Sequence, residues 1–480
     1  MLIALVLAAQ IGAGEAPVNA ATAAFEQAPA KPKKAKEEKD AAAKPAKKPK
    51  KKKVAKENET APDEPVDPAA DAPAKGFRFS WKQHPSVRYA DVFRLDVEGK
   101  MQEDGHSSYG PVKGLDTWEF HRNRFGIKGY ITRNIEYEVE HEFTEHELSE
   151  KDIEAGVTPK SRWKDVNVNL TYVKNAQVQI GKFKVPFGLD QLTGVTHKDF
   201  VYRSLGANYL APGRDIGAQV HGSFWKHGLE YATGVFQHDG DNARSKKIEG
   251  GGTTFAVRVA GTPLRHAASS PSIGGIVVGS AFAISELSDD SFRPNGLRGR
   301  TVMTQDTFYD SVYVKGHRRR WEADADWTSG PASVRAEYTW VSDDRLKQGI
   351  GDEDLPDARA RSWYVSGTWV LTGEDKRRPL KAAEPFAQGG IGAIELAIRY
   401  ERMWFDSTPV GQDTPARHPR ADTILESGDR ALTLGINWTL NRFVKIQFNG
   451  IREQLDDPQR NPVPNGAAFW SRVIRFQFVL

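Results

Sequence analysis

No cysteine occurs among the 480 residues. That excludes disulfides, thiolate metal sites and thiol nucleophiles. There is also no run of 18 apolar residues, so no helix of this chain spans a membrane. Hydrophobic residues make up 39%, low for a packed globular protein. No G-x-S-x-G, P-loop or dinucleotide fingerprint appears, so no cofactor and no enzymatic activity are expected. His141 and His146, in HEFTEHE (141–147), are five apart and miss the zinc-protease spacing. They read as a strand end running into a loop, with a weak metal site as the alternative. A hydrolase at a barrel rim would have to use Ser204 or Ser223 with His197 or His221, and no nucleophile motif supports either.

A basic folded body is missing as well. Residues 31–56 hold 13 Lys against 3 acidic residues, a net of +10. Residues 57–75 carry −5 and residues 1–30 carry −2. The total is +4, so 76–480 carries only 4 − 10 + 5 + 2 = +1. The Lys/Pro/Ala segment and the acidic stretch after it cannot bury a core, and 21–75 is expected to be a disordered linker. Without interleaved aromatics it does not read as a nucleic-acid platform, although it could attach to an anionic polymer or headgroup. Residues 1–20 read as a secretory signal: an apolar core from Leu2 to about Ile11, then small residues, with no Lys or Arg before it.

What is present from residue 76 onward is alternation. In 431–440, Leu432, Leu434, Ile436, Trp438 and Leu440 share one face. In 443–449, Val444, Ile446 and Phe448 oppose Lys445, Gln447 and Asn449. The same period of two runs through 165–172 and 394–401. About sixteen such segments are expected, near 87–98, 118–132, 135–143, 165–173, 176–183, 214–225, 228–236, 253–262, 276–284, 320–328, 332–341, 361–372, 392–403, 430–440, 443–452 and 468–480. They are long, and helical periodicity is nearly absent. Asn441-Arg442 joins two of them tightly, whereas 404–428 and 453–467 are long and rich in Asp, Gly and Pro. Short turns at one end and long loops at the other describe an outer-membrane β-barrel, and an even strand number closes it without edges. The fold class is therefore all-β, a transmembrane antiparallel barrel over 76–480. The last strand puts Trp470, Ile474, Phe476, Phe478 and Leu480 on one face, with Arg472 as the exception.

GKFKVPFGLD (181–190) and DFVYRSLGANYLAPGRDIGAQVHGSF (199–224) resemble the phosphate-selective porin O and P family. So do FRLDVEG (93–99), HRNRFGIKGYITRNIEYE (121–138), WYVSGTWVLTGED (363–375) and LTLGINWTLNRFVKIQFN (432–449). The resemblance covers most of 87–480. It implies a sixteen-stranded trimer in the outer membrane of a Gram-negative bacterium, with an inward-folded third loop at about 184–213. It also implies arginines that lead small anions such as phosphate to a constriction. The implied partners are outer-membrane lipid and lipopolysaccharide, two further copies, and the assembly machinery that reads the closing strand.

By that resemblance Arg94 is the ladder arginine of the first strand and Arg122 one of a pair in the second. Arg203 is the loop-three arginine, and Asp165 falls near the constriction aspartate. Two positions depart. His121 replaces the first arginine of the pair. Gln191 stands where a lysine is expected, with only His197 and Lys198 nearby. Parity alone puts Arg88 and Arg94 on one face, and Arg122, Arg124 and Lys128 on another, away from the apolar residues. Glu136, Glu138, Glu140 and Glu142 share the opposite face to Ile135, Tyr137, Val139 and Phe143. That acidic row is expected to pair with the basic one and to blunt anion selectivity. Three readings follow: a porin with at most modest anion preference, a general ion-diffusion pore, or an adhesive barrel working through its basic tail.

Overall fold

The computed structural model describes residues 76–81, 84–109, 117–144, 161–240, 252–265, 271–287, 294–408, 419–458 and 462–480. The signal segment, the Lys-rich linker, His146 and the acidic stretch 150–154 lie outside the described residues.

Sixteen antiparallel strands close into a barrel. The first nine are β3 (Phe93–Tyr109), β4 (Thr117–Ile131), β5 (Ile135–Glu142), β6 (Trp163–Leu170), β7 (Gln177–Lys184), β8 (Arg214–Phe224), β9 (Leu229–Phe236), β10 (Thr254–Gly261) and β11 (Val277–Leu287). The remaining seven are β14 (Gly316–Ser329), β15 (Ala332–Arg345), β16 (Leu355–Val370), β17 (Ala393–Ser407), β18 (Ser427–Thr439), β19 (Val444–Leu455) and β20 (Ala468–Val479). β20 pairs with β3 and closes the ring. Fifteen of the sixteen expected segments each match one strand, and the exception is the first. Strand length follows from the period-two pattern, which turns one set of side chains toward lipid and the other toward the lumen. Phe125, Ile180, Val235, Ile398, Ile436 and Phe448 point outward and are exposed. Arg318, Arg320, Glu322, Glu453 and Arg475 point inward and are fully buried.

The first expected strand, 87–98, is not one strand. A turn at 90–92 breaks it, with Ala90 in the left-handed region. Before the turn lies a hairpin of β1 (Phe77–Trp81) and β2 (Pro85–Tyr89). After it, β3 runs on to Tyr109. β2 pairs with Phe93–Asp96 of β3, just below the point where Leu480 meets Gly99. The hairpin thus extends the line of the closing strand toward the short-turn end, and covers the part of β3 that β20 leaves unpaired.

The other surprise is inside. The third loop, Val185–Gly213, folds into the lumen as expected. It carries two short helices, α1 (Leu189–Leu192) and α2 (Leu205–Tyr209), the latter capped by Ser204. Residues 294–315, ahead of β14, also fold inward, through β12 (Gly299–Arg300) and β13 (Thr307–Tyr309). Val201, Leu205, Tyr209 and Leu210 pack against Val302, Met303, Phe308 and Tyr309, and against Val341, Ala360, Met403, Phe405 and Ile451 on the wall. That apolar cluster joins the two inward segments to the wall of β15 to β20.

A constriction between the third loop and the wall

The third loop is fixed to the wall by side chains that satisfy its backbone. Asn449 accepts from the Val201 N–H at 2.8 Å, and Glu401 accepts from the Leu205 N–H at 2.6 Å. Asn437 donates to the Asp199 carbonyl at 2.9 Å, and Arg475 to the Val201 carbonyl at 2.8 Å. Glu337 accepts from the Asp190 N–H at 2.9 Å. Polar residues that the sequence pattern places on the lumenal face therefore act here as loop anchors, because an inward loop has backbone groups that water no longer reaches.

Burial shows where water can still run. Lumenal residues of β17 to β20, such as Glu395, Asn437, Gln447, Asn449 and Gln477, are buried under the loop. Those of β4 to β9, such as Arg122, Glu138, Asn169, Gln179, Gln219 and His221, remain half-exposed. The open lane is bounded by the β3–β9 wall on one side and the third loop on the other.

The cations along that lane fall into two groups. Arg94 binds Asp96 in a fork, 2.9 and 2.7 Å. Arg124 is buried between Glu140 at 2.9 Å and Glu142 at 2.7 Å. Lys128 pairs with Glu98 at 2.5 Å, and Lys100 with Glu140 at 2.6 Å. Asp165 takes the Arg214 guanidinium, Nη2 to Oδ2 2.6 Å. The expected basic and acidic rows do pair, through Arg124, and Lys128 also meets Glu98 on β3. Glu136 accepts instead from Asn169 at 2.9 Å.

The second group has only neutral partners among the described residues. Arg122 donates to the Gln102 side-chain carbonyl at 2.8 Å. Arg203 donates to the Asp190 and Thr193 backbone carbonyls, the latter at 3.0 Å. Lys198 donates to the Val201 carbonyl at 2.8 Å. Lys184 donates to the carbonyls of Leu192 and Thr193 at 2.8 and 3.2 Å. Burial, with the guanidiniums of Arg122 and Arg203 nearby, holds the Lys198 ammonium well below the ordinary lysine range. Burial also lowers Arg203, against the pull of Asp190. These cations are close enough to repel, and carbonyl oxygens together with the attraction of the Asp190 carboxylate hold them in place.

Gln191 is not a pore-lining group. It is buried in α1, and its Oε1 has no partner. Lys184, which the sequence pattern does not single out, puts an ammonium on the last carbonyls of that same helix. It lies in the GKFKVPFG stretch as one of two lysines on the same face of β7, and only the fold shows which of them reaches the loop.

Asp199 is a second residue missed from sequence. Lys376 Nζ meets its Oδ1 at 2.6 Å and also binds Glu395. Arg378 meets Asp199 at 3.1 Å and reaches Ser333 at 3.0 Å. Lys376 and Arg378 lie in 371–392, a connection on the short-turn side that is much longer than its neighbours at 132–134, 330–331 and 440–443. It tucks into the mouth of the barrel and braces the third loop from below.

The family model described as phosphate-selective porin O and P matches residues 95–480. Porin O of Pseudomonas aeruginosa is 23% identical over 431 residues, covering 81% of this chain and 88% of that protein. Among solved structures, a loop L8 deletion mutant of OmpT, an outer membrane protein of Vibrio cholerae, superposes with a TM-score of 0.50 at 11% identity, covering 81% of this chain and 100% of that one. Outer-membrane expressed OmpT of the same organism gives 0.50 at 10% identity, covering 82% and 99%. These structures share the barrel fold. With the match running from the third residue of β3 to the closing strand, the chain belongs to the phosphate-selective porin O and P family of outer-membrane channels.

Proposed function

We propose that the channel favours small anions, phosphate among them, and that it works as a homotrimer in the outer membrane of a Gram-negative bacterium, assembled by machinery that reads β20. One observation carries the anion preference. Arg122, Lys184, Lys198 and Arg203 gather at the third loop without a carboxylate partner among the described residues, while the cations above and below them are paired. An anion entering the lane loses water there. Opposite charge about 4 Å away, at an effective dielectric of ~20, offsets that loss by about 4 kcal/mol. Sharing the load over four cations keeps release possible.

Planar-bilayer recording tests the reading. In a KCl gradient the wild type should give a reversal potential on the chloride side, and Arg122→Gln with Arg203→Gln should bring it most of the way to zero. A wild-type preference for potassium would overturn it. Micromolar phosphate that blocks chloride current would give the substrate. A general diffusion pore is the second reading. Glu136 favours it, since its carboxylate faces the lane with an amide as partner rather than a cation. Weak selectivity without phosphate block would establish that alternative.

A further inference from the structure

Arg472 breaks the apolar outer face of the closing strand, and the register gives it company. Arg361 on β16, Arg402 on β17, Arg430 on β18 and Arg452 on β19 also point outward. Arg361 lies opposite Trp404, and Arg402 lies opposite Arg430. Arg452 lies opposite Leu432, one outward position below Arg430, and Arg472 lies opposite Gly450, one outward position below Arg452. Three of the four steps along the row drop by one outward position and the Arg402–Arg430 step by none, a stagger that tilted strands keep at nearly one height. The five side chains therefore form a row around the barrel, on the long-loop side of the outward Ile398, Leu434, Ile436, Phe448 and Phe476.

Two like charges directly opposite each other cost stability unless an anion sits between them. For Arg402 and Arg430 that anion is Asp456, at 2.7 and 2.9 Å. Further along the row, no carboxylate among the described residues pairs with Arg452. Its cross-strand neighbour is Trp470, whose flat ring suits the water–lipid boundary. Every member of the row is arginine and none is lysine. The guanidinium fork matches phosphate oxygens two at a time, which an ammonium cannot do.

We propose that the stretch around Arg452, flanked by Arg430 and Arg472, seats a phosphate of an outer-leaflet glycolipid, with Asp456 showing the place such an anion takes between neighbouring arginines. This rests on the outer-membrane placement, since the long-loop end then meets the leaflet built from phosphorylated saccharolipid. It does not depend on what the pore conducts.

The test is native mass spectrometry of the purified full-length protein in detergent. It is incubated in turn with bisphosphorylated lipid A, dephosphorylated lipid A and phosphatidylglycerol. Wild type should retain bisphosphorylated lipid A through a detergent wash. Arg452→Gln should lower that retention severalfold, and Arg430→Gln, Arg452→Gln and Arg472→Gln together should lower it tenfold or more. Conductance and heat-modifiable migration should stay unchanged, because all three side chains face away from the lumen. Undiminished retention by the triple variant would overturn the proposal. So would equal retention of dephosphorylated lipid A or of phosphatidylglycerol. Loss of oligomer with lipid retention intact would assign the row to a second copy instead. The single variant keeps both flanking arginines, so it reads the site even if the triple variant folds poorly. A wild type that binds lipid A but does not conduct would overturn the channel reading and leave this one standing.

Discussion

Lys184 and Arg203 donate to one carbonyl, that of Thr193. Each is long and flexible, and each loses that freedom to hold a charge beside another charge. Such an arrangement persists only where backbone dipoles are fixed and solvent is scarce. The missing lysine at Gln191 is thereby answered by a lysine from the wall. Lys184→Gln should keep the amide contact with the α1 carbonyls while removing the charge. The expected result is an anion-to-cation permeability ratio lowered at least twofold, with single-channel conductance in symmetric KCl nearly unchanged. Lys128→Gln, whose ammonium is already paired with Glu98, should move the ratio much less. Reversal potentials of the two variants side by side would decide it, and an equal effect from both would remove Lys184 from the selectivity site.

At the scale of elements, the brace 371–392 joins what the chain keeps far apart. Asp199 accepts from Lys376 and Arg378, 177 and 179 residues further along the chain, and Lys376 also binds Glu395 at the foot of β17. Removing one member of a buried ionic cluster costs about 3–5 kcal/mol, because the remaining charges are left uncompensated. Lys376→Met leaves Asp199 and Glu395 without their shared cation. The barrel ladders are untouched, so the loss should appear as a mobile third loop. We expect noisier open-channel current and a lower voltage for closure, with Asp199→Asn largely cancelling the effect of Lys376→Met in the double variant. Additive effects would mean that the two residues act separately.

The strands themselves were legible because lipid on one face and lumen on the other impose a strict period of two, from Val166 on β6 to Phe478 on β20. The inward segments carry no such period. Val302, Phe308 and Val201 read as loop residues, and only their meeting in the lumen shows them as core. Arg94 and Arg124 were recognisable as lumenal, yet pairing decides whether they offer charge: Arg94 turns onto Asp96 two residues along the same strand, and Arg124 depends on the register that brings Glu140 and Glu142 across from β5. Gln191 could be placed on the loop from sequence but not turned away from the lane. Its burial depends on how α1 packs, which no local pattern encodes.

For the whole molecule, closure is the decisive feature. A membrane tolerates no open sheet edge, since each unpaired N–H or C=O in hydrocarbon costs several kcal/mol. β20 pairs with β3 only as far down as Lys100, with Leu480 bonded to Gly99, so the first residues of β3 would present an edge. The β1–β2 hairpin removes it, with Val87 against Leu95 and Tyr89 against Phe93. Its outward face, Phe77, Phe79, Trp81 and Tyr89, continues the apolar band, while Ser86 and His84 turn inward onto Asp96, the partner of Arg94. One short hairpin thus seals the seam and buries the first ladder pair. Deleting 77–89 while joining the preceding segment directly to residue 90 should leave a barrel that forms but seals poorly. We expect the heat-resistant, fast-migrating band to disappear at a temperature lower by ten degrees or more. We also expect hydrogen exchange to rise at Phe93–Asp96 while Gln102–His106, still paired with β20, stays protected. Exchange that rises evenly along β3 would mean that the hairpin acts on folding as a whole rather than on the seam.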